Sequence, residues 1–122
     1  MLAAAWFTLR GYEVLWPLEP CRYDLGVSAG DTVHRVQVKT TTHRSGGSKA
    51  VSLSSSRRPG RVVYGADEID FFFVIDEDLD AYVIPIGAVA GYQLIHLRRY
   101  EAYLAAKNGQ WLTPVSATAP TT

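Results

Sequence analysis

Three polar side chains that can bind a cation and activate water lie in the segment RYDLGVSAGDTVHRVQVKTTT, residues 22–42. Asp24 offers a carboxylate, while Gln37 and Lys39 offer an amide and an ammonium on either side of Val38. Carboxylate and amide oxygens are hard ligands of the kind that Mg²⁺ prefers, and the Val38 main-chain carbonyl is a third oxygen. A cation bound there would lower the pKa of a coordinated water and neutralise charge on a phosphate. Lys39 is suited to orient the attacking water or to stabilise a pentavalent transition state.

The hairpin that carries these residues is predicted as two strands, residues 22–28 and 33–41, joined by the turn SAGD. Because side chains alternate across a strand, Gln37 and Lys39 share one face, roughly 7 Å apart, and the intervening valines point to the core. The apolar set of the first strand consists of Tyr23, Leu25 and Val27. If that set faces the same core, the Asp24 side chain lies on the opposite face of the hairpin, next to Gln37 and Lys39. The simpler alternative is an exposed hairpin face with an ordinary Asp–Lys pair.

Charge is distributed unevenly along the chain, although the formal net charge is zero. Between Asp31 and Asp67 there are seven Lys or Arg residues and no acid, whereas from Asp67 to Asp80 there are seven acids and no base. The first segment is suited to an anionic partner, and its basic loops could hold a phosphate backbone. The predicted phosphate contacts are Thr40, Thr41, His43, Arg44, Lys49, Arg57, Arg58 and Arg61. The alternative is that the two oppositely charged segments attract each other.

The surrounding pattern predicts one α/β domain over residues 1–115, followed by a flexible tail over 116–122. The fold class that we expect is a central mixed sheet flanked by helices. IDFFFVI is short, aromatic and followed by acids, which is typical of a strand buried on both faces. The other predicted elements are helices over 2–10 and 97–107 and strands over 12–16, 50–54 and 81–86. The apolar stretch 82–97 is a candidate subunit interface.

Composition excludes several classes of site and location. A single cysteine, Cys21, rules out an intrachain disulfide framework and a thiolate zinc site. The three histidines, His34, His43 and His96, lack the spacing of metal ligands. No secretory signal and no stretch long enough to cross a membrane is visible, so we expect a cytoplasmic protein without a membrane partner.

The hairpin resembles the core motifs of the PD-(D/E)XK nuclease superfamily, in which an acid on one strand precedes acid-or-Gln, any residue and Lys on the next. YDLGV…VQVKTTT matches at Asp24, Gln37 and Lys39.

The order of elements over residues 5–100 is similar to the small branch of intron-encoded homing endonucleases and archaeal-type Holliday junction resolvases. The resemblance implies a restriction-endonuclease-like core and a DNA endonuclease that uses Mg²⁺, or Mn²⁺ as a substitute. It implies Asp24, Gln37 and the Val38 carbonyl as metal ligands and Lys39 as the residue that assists water. Because a chain this small cuts both strands only by pairing, we expect a homodimer or a larger homo-oligomer.

The chain departs from that pattern in two places that bear on activity. Gln37 stands where an acid is commoner, and residues 1–10 contain no acid where many relatives carry a Glu in the first helix. Three explanations stay open: the true start lies upstream, the site works with one carboxylate, or the protein does not cut. Two rival functions follow, a nucleic-acid-binding module with the same fold and a protein–protein adaptor joined through the charged segments. Asp70 is predicted to make a structural hydrogen bond.

Overall fold

The computed structural model describes residues 2–19, 21–55 and 62–108. Its elements in chain order are α1 (Leu2–Leu9), β1 (Glu13–Leu15), β2 (Leu25–Ser28), β3 (Val33–Thr40), β4 (Arg44–Ser45), β5 (Ser48–Ser52), β6 (Ser54–Ser55), β7 (Val62–Val63), β8 (Phe71–Ile75), β9 (Ala81–Pro85), a 3-10 helix (Ile86–Ala88), β10 (Leu94–His96), a second 3-10 helix (Leu97–Tyr103) and β11 (Leu104–Ala106). The predicted domain boundary at residue 115 and the tail 116–122 lie outside the described residues and stay predictions.

A six-stranded mixed sheet forms the centre, in the order β1-β2-β3-β8-β9-β11. β3 and β8 pair in parallel, whereas the other neighbours in this sheet are antiparallel. A three-stranded sheet, β10-β5-β4, and the short pair β6-β7 lie outside it. The predicted α/β fold with a central mixed sheet is therefore confirmed.

Both faces of the sheet are covered, as the apolar run in β8 predicts. Phe73 and Ile75 join the cluster beneath α1, which contributes Ala3 and Phe7. Phe72 and Val74 point the other way, into a second cluster. That cluster also contains Val51, Leu53, Tyr64, Ile69, Tyr82, Ile84, Val89, Ile95 and Leu97. β8 is thus a central strand buried on both sides. Its parallel pairing with β3 sets which residues of the two strands lie side by side.

One expectation for the C-terminal third is corrected, and the candidate subunit interface over 82–97 stays a prediction. The helix predicted over 97–107 is a 3-10 helix that is irregular at Tyr100, followed by an edge strand from Leu104 that pairs with β9. The helical spacing of apolar residues arises because Leu97, Tyr100 and Leu104 pack on the same cluster from two short elements. The apolar stretch 82–97 mostly fills the protein's own core and leaves Tyr92 and Leu94 as its exposed large side chains.

Candidate active site

The Asp24 carboxylate lies at the edge of β3, just where the pairing with β2 ends. β2 and β3 pair with Leu25 opposite Val36, as the predicted hairpin requires. The Asp24 main-chain N–H donates to the Val36 carbonyl at 2.8 Å, and the Val38 N–H donates to Asp24 Oδ2 at 2.8 Å. The carboxylate therefore takes the place of a main-chain acceptor and is fixed beside the Gln37–Lys39 segment.

One detail of the predicted alternation is wrong. Leu25 and Val27 face the α1 cluster, but Tyr23 packs against the opposite cluster. The chain bends at Asp24 before β2 begins, so Tyr23 and Leu25 do not share a face. The bend is what brings the Asp24 side chain to the edge of β3.

Lys39 lies partly buried on the face of β3 opposite α1, beside Val74 of β8. Its Nζ is 3.5 Å from the Ser54 carbonyl and 5.2 Å from the centroid of the Tyr64 ring. Burial lowers the pKa of Lys39, the negative charge of Asp24 opposes that change, and the positive charge of Arg22 adds to it. Asp24 and Lys39 are thus within electrostatic reach of each other.

Gln37 and the Val38 carbonyl complete the set of oxygen atoms that the sequence singled out. Gln37 is partly buried opposite Phe72, and its Nε2 lies 3.5 Å from the Val38 carbonyl oxygen. The Val38 N–H and C=O both point toward the β2 side, because the two groups of one strand residue share a direction. The structure therefore places the Asp24 carboxylate at the Val38 N–H and the Gln37 amide at the Val38 carbonyl, with the amide nitrogen rather than its oxygen facing that carbonyl.

This donor set suits a hard divalent cation but carries little charge. Within residues 2–19, 21–55 and 62–108, no three His, Cys, Asp or Glu residues form a metal-binding group. Asp24 Oδ1 makes no hydrogen bond within the same ranges, so it is available as a ligand. One carboxylate oxygen, one carbonyl and one amide fit Mg²⁺ chemically and predict weak binding in the absence of substrate phosphate.

Sequence reasoning missed three residues around Lys39. The guanidinium carbon of Arg22 lies 4.1 Å from the centroid of the Tyr64 ring, and Arg22 Nε is 3.1 Å from Glu68 Oε2. Arg22 Nη2 is buried without a hydrogen-bond partner in the described part of the chain. Tyr64 thus packs under two cations, Arg22 and Lys39. The only available signal was the position of Arg22 two residues before Asp24, since Tyr64 and Glu68 reach the site from distant sequence.

The predicted phosphate contacts fall into different environments. Arg44 pairs with Glu77 at 2.8 Å, and Lys49 pairs with Asp76 at 3.0 Å and with Asp78. These contacts match the alternative that the two charged segments attract each other, so a role for Arg44 and Lys49 in binding phosphate stays a prediction. Arg57, Arg58 and Arg61 lie outside the described residues.

The threonines and His43 border an open groove of about 470 Å³ that starts at Lys39. Thr41 has a structural role, because its hydroxyl donates to the Ala50 carbonyl at 2.6 Å and accepts from the His43 N–H at 3.0 Å. Thr40 and His43 are exposed. The full lining of this Lys39 groove is Lys39, Thr40, Thr41, Thr42, His43, Val51, Ser52 and Ser54.

Asp70 makes the structural hydrogen bonds that were predicted for it. Its Oδ2 accepts from the Arg35 main-chain N–H at 2.7 Å and from Arg35 Nε at 3.1 Å. The Asp70 N–H in turn donates to the Arg35 carbonyl at 2.8 Å. Asp70 therefore fastens the start of β8 to β3 and takes no part in the candidate site.

The chain is similar to known nucleases in sequence and in fold. The chain matches the model of the family described as PD-(D/E)XK endonuclease over residues 1–112. A solved structure of a bacterial homing endonuclease, I-Ssp6803I, is similar, with a TM-score of 0.66 and 27% sequence identity. That match covers 78% of this chain and 70% of the other. None of the curated proteins matches. In the described ranges, no helix is long and apolar enough to cross a membrane.

Proposed function

The chain belongs to the PD-(D/E)XK endonuclease family, and from that premise we propose that it hydrolyses phosphodiester bonds in DNA with the help of Mg²⁺. Mn²⁺ is the expected substitute. The similarity to a homing endonuclease favours a site-specific duplex as the substrate over a four-way junction. The observation that carries the proposal is that the Val38 N–H holds the Asp24 carboxylate beside β3, one residue before the partly buried Lys39.

Asp24 Oδ1, the Val38 carbonyl and the Gln37 amide oxygen would hold the cation. The Gln37 amide must turn by half a rotation to present Oε1 to the cation, since its Nε2 now faces the Val38 carbonyl. A cation bound there supplies charge neutralisation at the phosphate and a coordinated water of lowered pKa.

The side chains around the site prepare it for an anion. The Val38 N–H fixes the Asp24 carboxylate by a hydrogen bond to Oδ2, so that Oδ1 can bind the cation. The Tyr64 ring supports Lys39, whose ammonium would donate hydrogen bonds to the attacking water or to a phosphate oxygen. Two cations, Lys39 and Arg22, lie near the same ring, so a phosphate entering between Asp24 and Lys39 would relieve their mutual repulsion.

The test is cleavage of supercoiled plasmid and of a linear library in Mg²⁺ and in Mn²⁺. We expect Asp24→Asn and Lys39→Met to lower the cleavage rate by about a hundredfold or more, because each removes a charge at the reacting phosphate. Asp31→Asn and Lys107→Met are the matched controls, since both residues are exposed and outside the site. Cleavage that persists in Asp24→Asn, or that is lost equally in the controls, would overturn the assignment.

A second candidate is a nucleic-acid-binding module that does not cut. The observation in its favour is that the site has one carboxylate where a cation usually has at least two. Salt-sensitive DNA binding by the wild type without cleavage in either metal would establish this function. Absence of DNA affinity at low salt would instead leave the adaptor.

We also propose a homodimer or larger homo-oligomer, since one site per chain cuts two strands only by pairing. Sedimentation equilibrium of the full chain tests this point, and a monomer at concentrations that support double-strand cleavage would contradict it.

A further inference from the structure

A second groove lies on the outer side of the small sheet β10-β5-β4. Tyr92, Leu94, Ile95, His96, Arg99 and Tyr100 line it, and its volume is about 250 Å³. Two of its large side chains are exposed to solvent, Tyr92 by 58% and Leu94 by 42%. We call it the Arg99 groove.

The Arg99 groove and the Lys39 groove are lined by residues of two paired strands, β10 and β5. Leu94 of β10 lies directly opposite Ser52 of β5, and the neighbouring pair is Ile95 with Val51. Val51 and Ile95 are buried in the core, so Ser52 and Leu94 point outward. Because paired strands lie about 4.8 Å apart, the Ser52 side of one groove and the Leu94 side of the other are immediate neighbours.

The cations of this region differ from those of the basic segment. Among the described cations of the basic segment, Arg35, Arg44 and Lys49 pair with acids. Arg98 and Arg99 are exposed, and neither has an ion-pair partner among the described residues. An exposed guanidinium in a groove that two tyrosines also line is suited to a phosphate and the adjoining sugar or base, since Arg binds phosphate in a fork and aromatic rings stack on nucleotides.

We propose that the Arg99 groove holds the backbone of the DNA strand that is cut between Asp24 and Lys39, a few nucleotides from the cut and beyond the Lys39 groove. Arg99 binds a phosphate there, and the Tyr92 ring packs against the adjoining nucleotide. This inference rests on the proposed nuclease function and names the surface that extends the DNA contact beyond the cleavage site. Ser52 and Leu94 form the floor that the strand crosses between the two grooves.

The test measures binding of a fluorescent duplex, long enough to cover both grooves, as a function of salt and without divalent cation. We expect Arg99→Ala to reduce the slope of log affinity against log salt by about one, because one phosphate contact is lost. Lys107→Ala, which removes an exposed cation at another edge of the protein, should leave the slope unchanged. Tyr92→Ala should weaken binding severalfold, and Tyr92→Phe, which keeps the ring, should bind like the wild type.

The outcomes separate this inference from the proposed function. A wild-type slope in Arg99→Ala, with cleavage still lost in Asp24→Asn, would overturn the inference and leave the nuclease intact. Equal changes of slope in Arg99→Ala and Lys107→Ala would overturn it too, because the effect would be one of general charge. A wild type that neither binds nor cuts DNA would overturn the function itself. Thermal unfolding of each variant establishes that it is folded.

Discussion

At the scale of single residues, the two oxygens of the Asp24 carboxylate have different surroundings. Oδ2 accepts a hydrogen bond from the Val38 N–H at the edge of β3. Oδ1 makes no hydrogen bond within the described residues, and we propose it as a ligand of the cation. Gln37, in contrast, brings an amide to a position at which an acid would add a second negative charge. The low charge of the site follows from that one residue, which makes it the most informative position to change.

We predict that Gln37→Glu lowers the Mg²⁺ concentration needed for half-maximal cleavage by about tenfold, because affinity for a hard cation rises with the number of charged ligands. The same substitution should weaken DNA binding in the absence of metal, since it adds negative charge beside the phosphate. A metal titration of the cleavage rate checks the first effect and fluorescence anisotropy the second. Ala29→Glu adds the same charge in the exposed turn of the hairpin and should change neither quantity. An unchanged metal requirement in Gln37→Glu would mean that Gln37 is not a ligand.

At the scale of elements, the parallel pairing of β3 with β8 determines where Lys39 stands. Arg35 holds the start of this pair together, because its main chain and its side chain both form hydrogen bonds with Asp70. Its Nη2 also donates to the Ala66 carbonyl. Gln37 and Lys39 then fall opposite Phe72 and Val74 by register. The Arg35–Asp70 contact is therefore a positioning element for the site, although it lies outside it.

We predict that Asp70→Asn lowers the free energy of unfolding by about 1.5 kcal/mol at neutral pH, the lower end of the range for a hydrogen bond to a charged group. The hydrogen bond from the Arg35 side chain holds the pKa of Asp70 below its ordinary value. The stabilisation is thus complete above the unfolded pKa, about 3.9, and is lost as the pH falls through the lower folded value. Urea unfolding of the wild type and Asp70→Asn at several pH values measures the difference, which should shrink only below about pH 4. Asp31→Asn, in the exposed turn, serves as control, and a difference that grows on acidification would contradict the argument.

The hairpin and the buried strand could be predicted from sequence because each is encoded by a local pattern. Alternating valines set the register of β3, and an unbroken apolar run marks β8 as buried on both sides. The helix over 97–107 was wrong because the same apolar spacing is produced by a 3-10 turn and an edge strand that pack on one cluster. The Arg22–Tyr64–Lys39 contact had no local signal at all, since it depends on how the segment before β8 returns over β3.

At the scale of the whole molecule, ion pairs among the described residues neutralise part of the charge asymmetry of the sequence. Basic residues of β3, β4 and β5 pair with acids that flank β8. Sequence reasoning could identify both the asymmetry and its two explanations, but it could not choose between them, because the choice depends on tertiary distances. In the described residues, the exposed cations without an acidic partner include Arg98 and Arg99, which the sequence argument had not selected.

We predict that Lys49→Met lowers the free energy of unfolding by about 3 kcal/mol, because it leaves the buried Asp76 carboxylate without its cation. Arg44 lies directly opposite Lys49 in the β4–β5 pair, and its contact with Glu77 is exposed. Arg44→Met should therefore cost less than about 1 kcal/mol. Urea unfolding of both variants checks the contrast. Equal losses of unfolding free energy in the two variants would contradict the argument. A lower slope of log DNA affinity against log salt in Lys49→Met, with unchanged stability, would instead support the predicted contact of Lys49 with phosphate.

The parallel β3–β8 pair also has a kinetic consequence. β2 and β3 are joined by a tight turn and can associate as soon as they are synthesised, but β3 ends at Thr40 and its other neighbour begins only at Phe71. Contacts between segments so far apart in sequence form slowly, because a long loop must close before they yield any stabilisation. The polar residues of the hairpin therefore meet early in a nascent chain, whereas Lys39 acquires its apolar surroundings only when the distant strand arrives. Folding speed should accordingly respond more to changes in β8 than to changes in the hairpin turn.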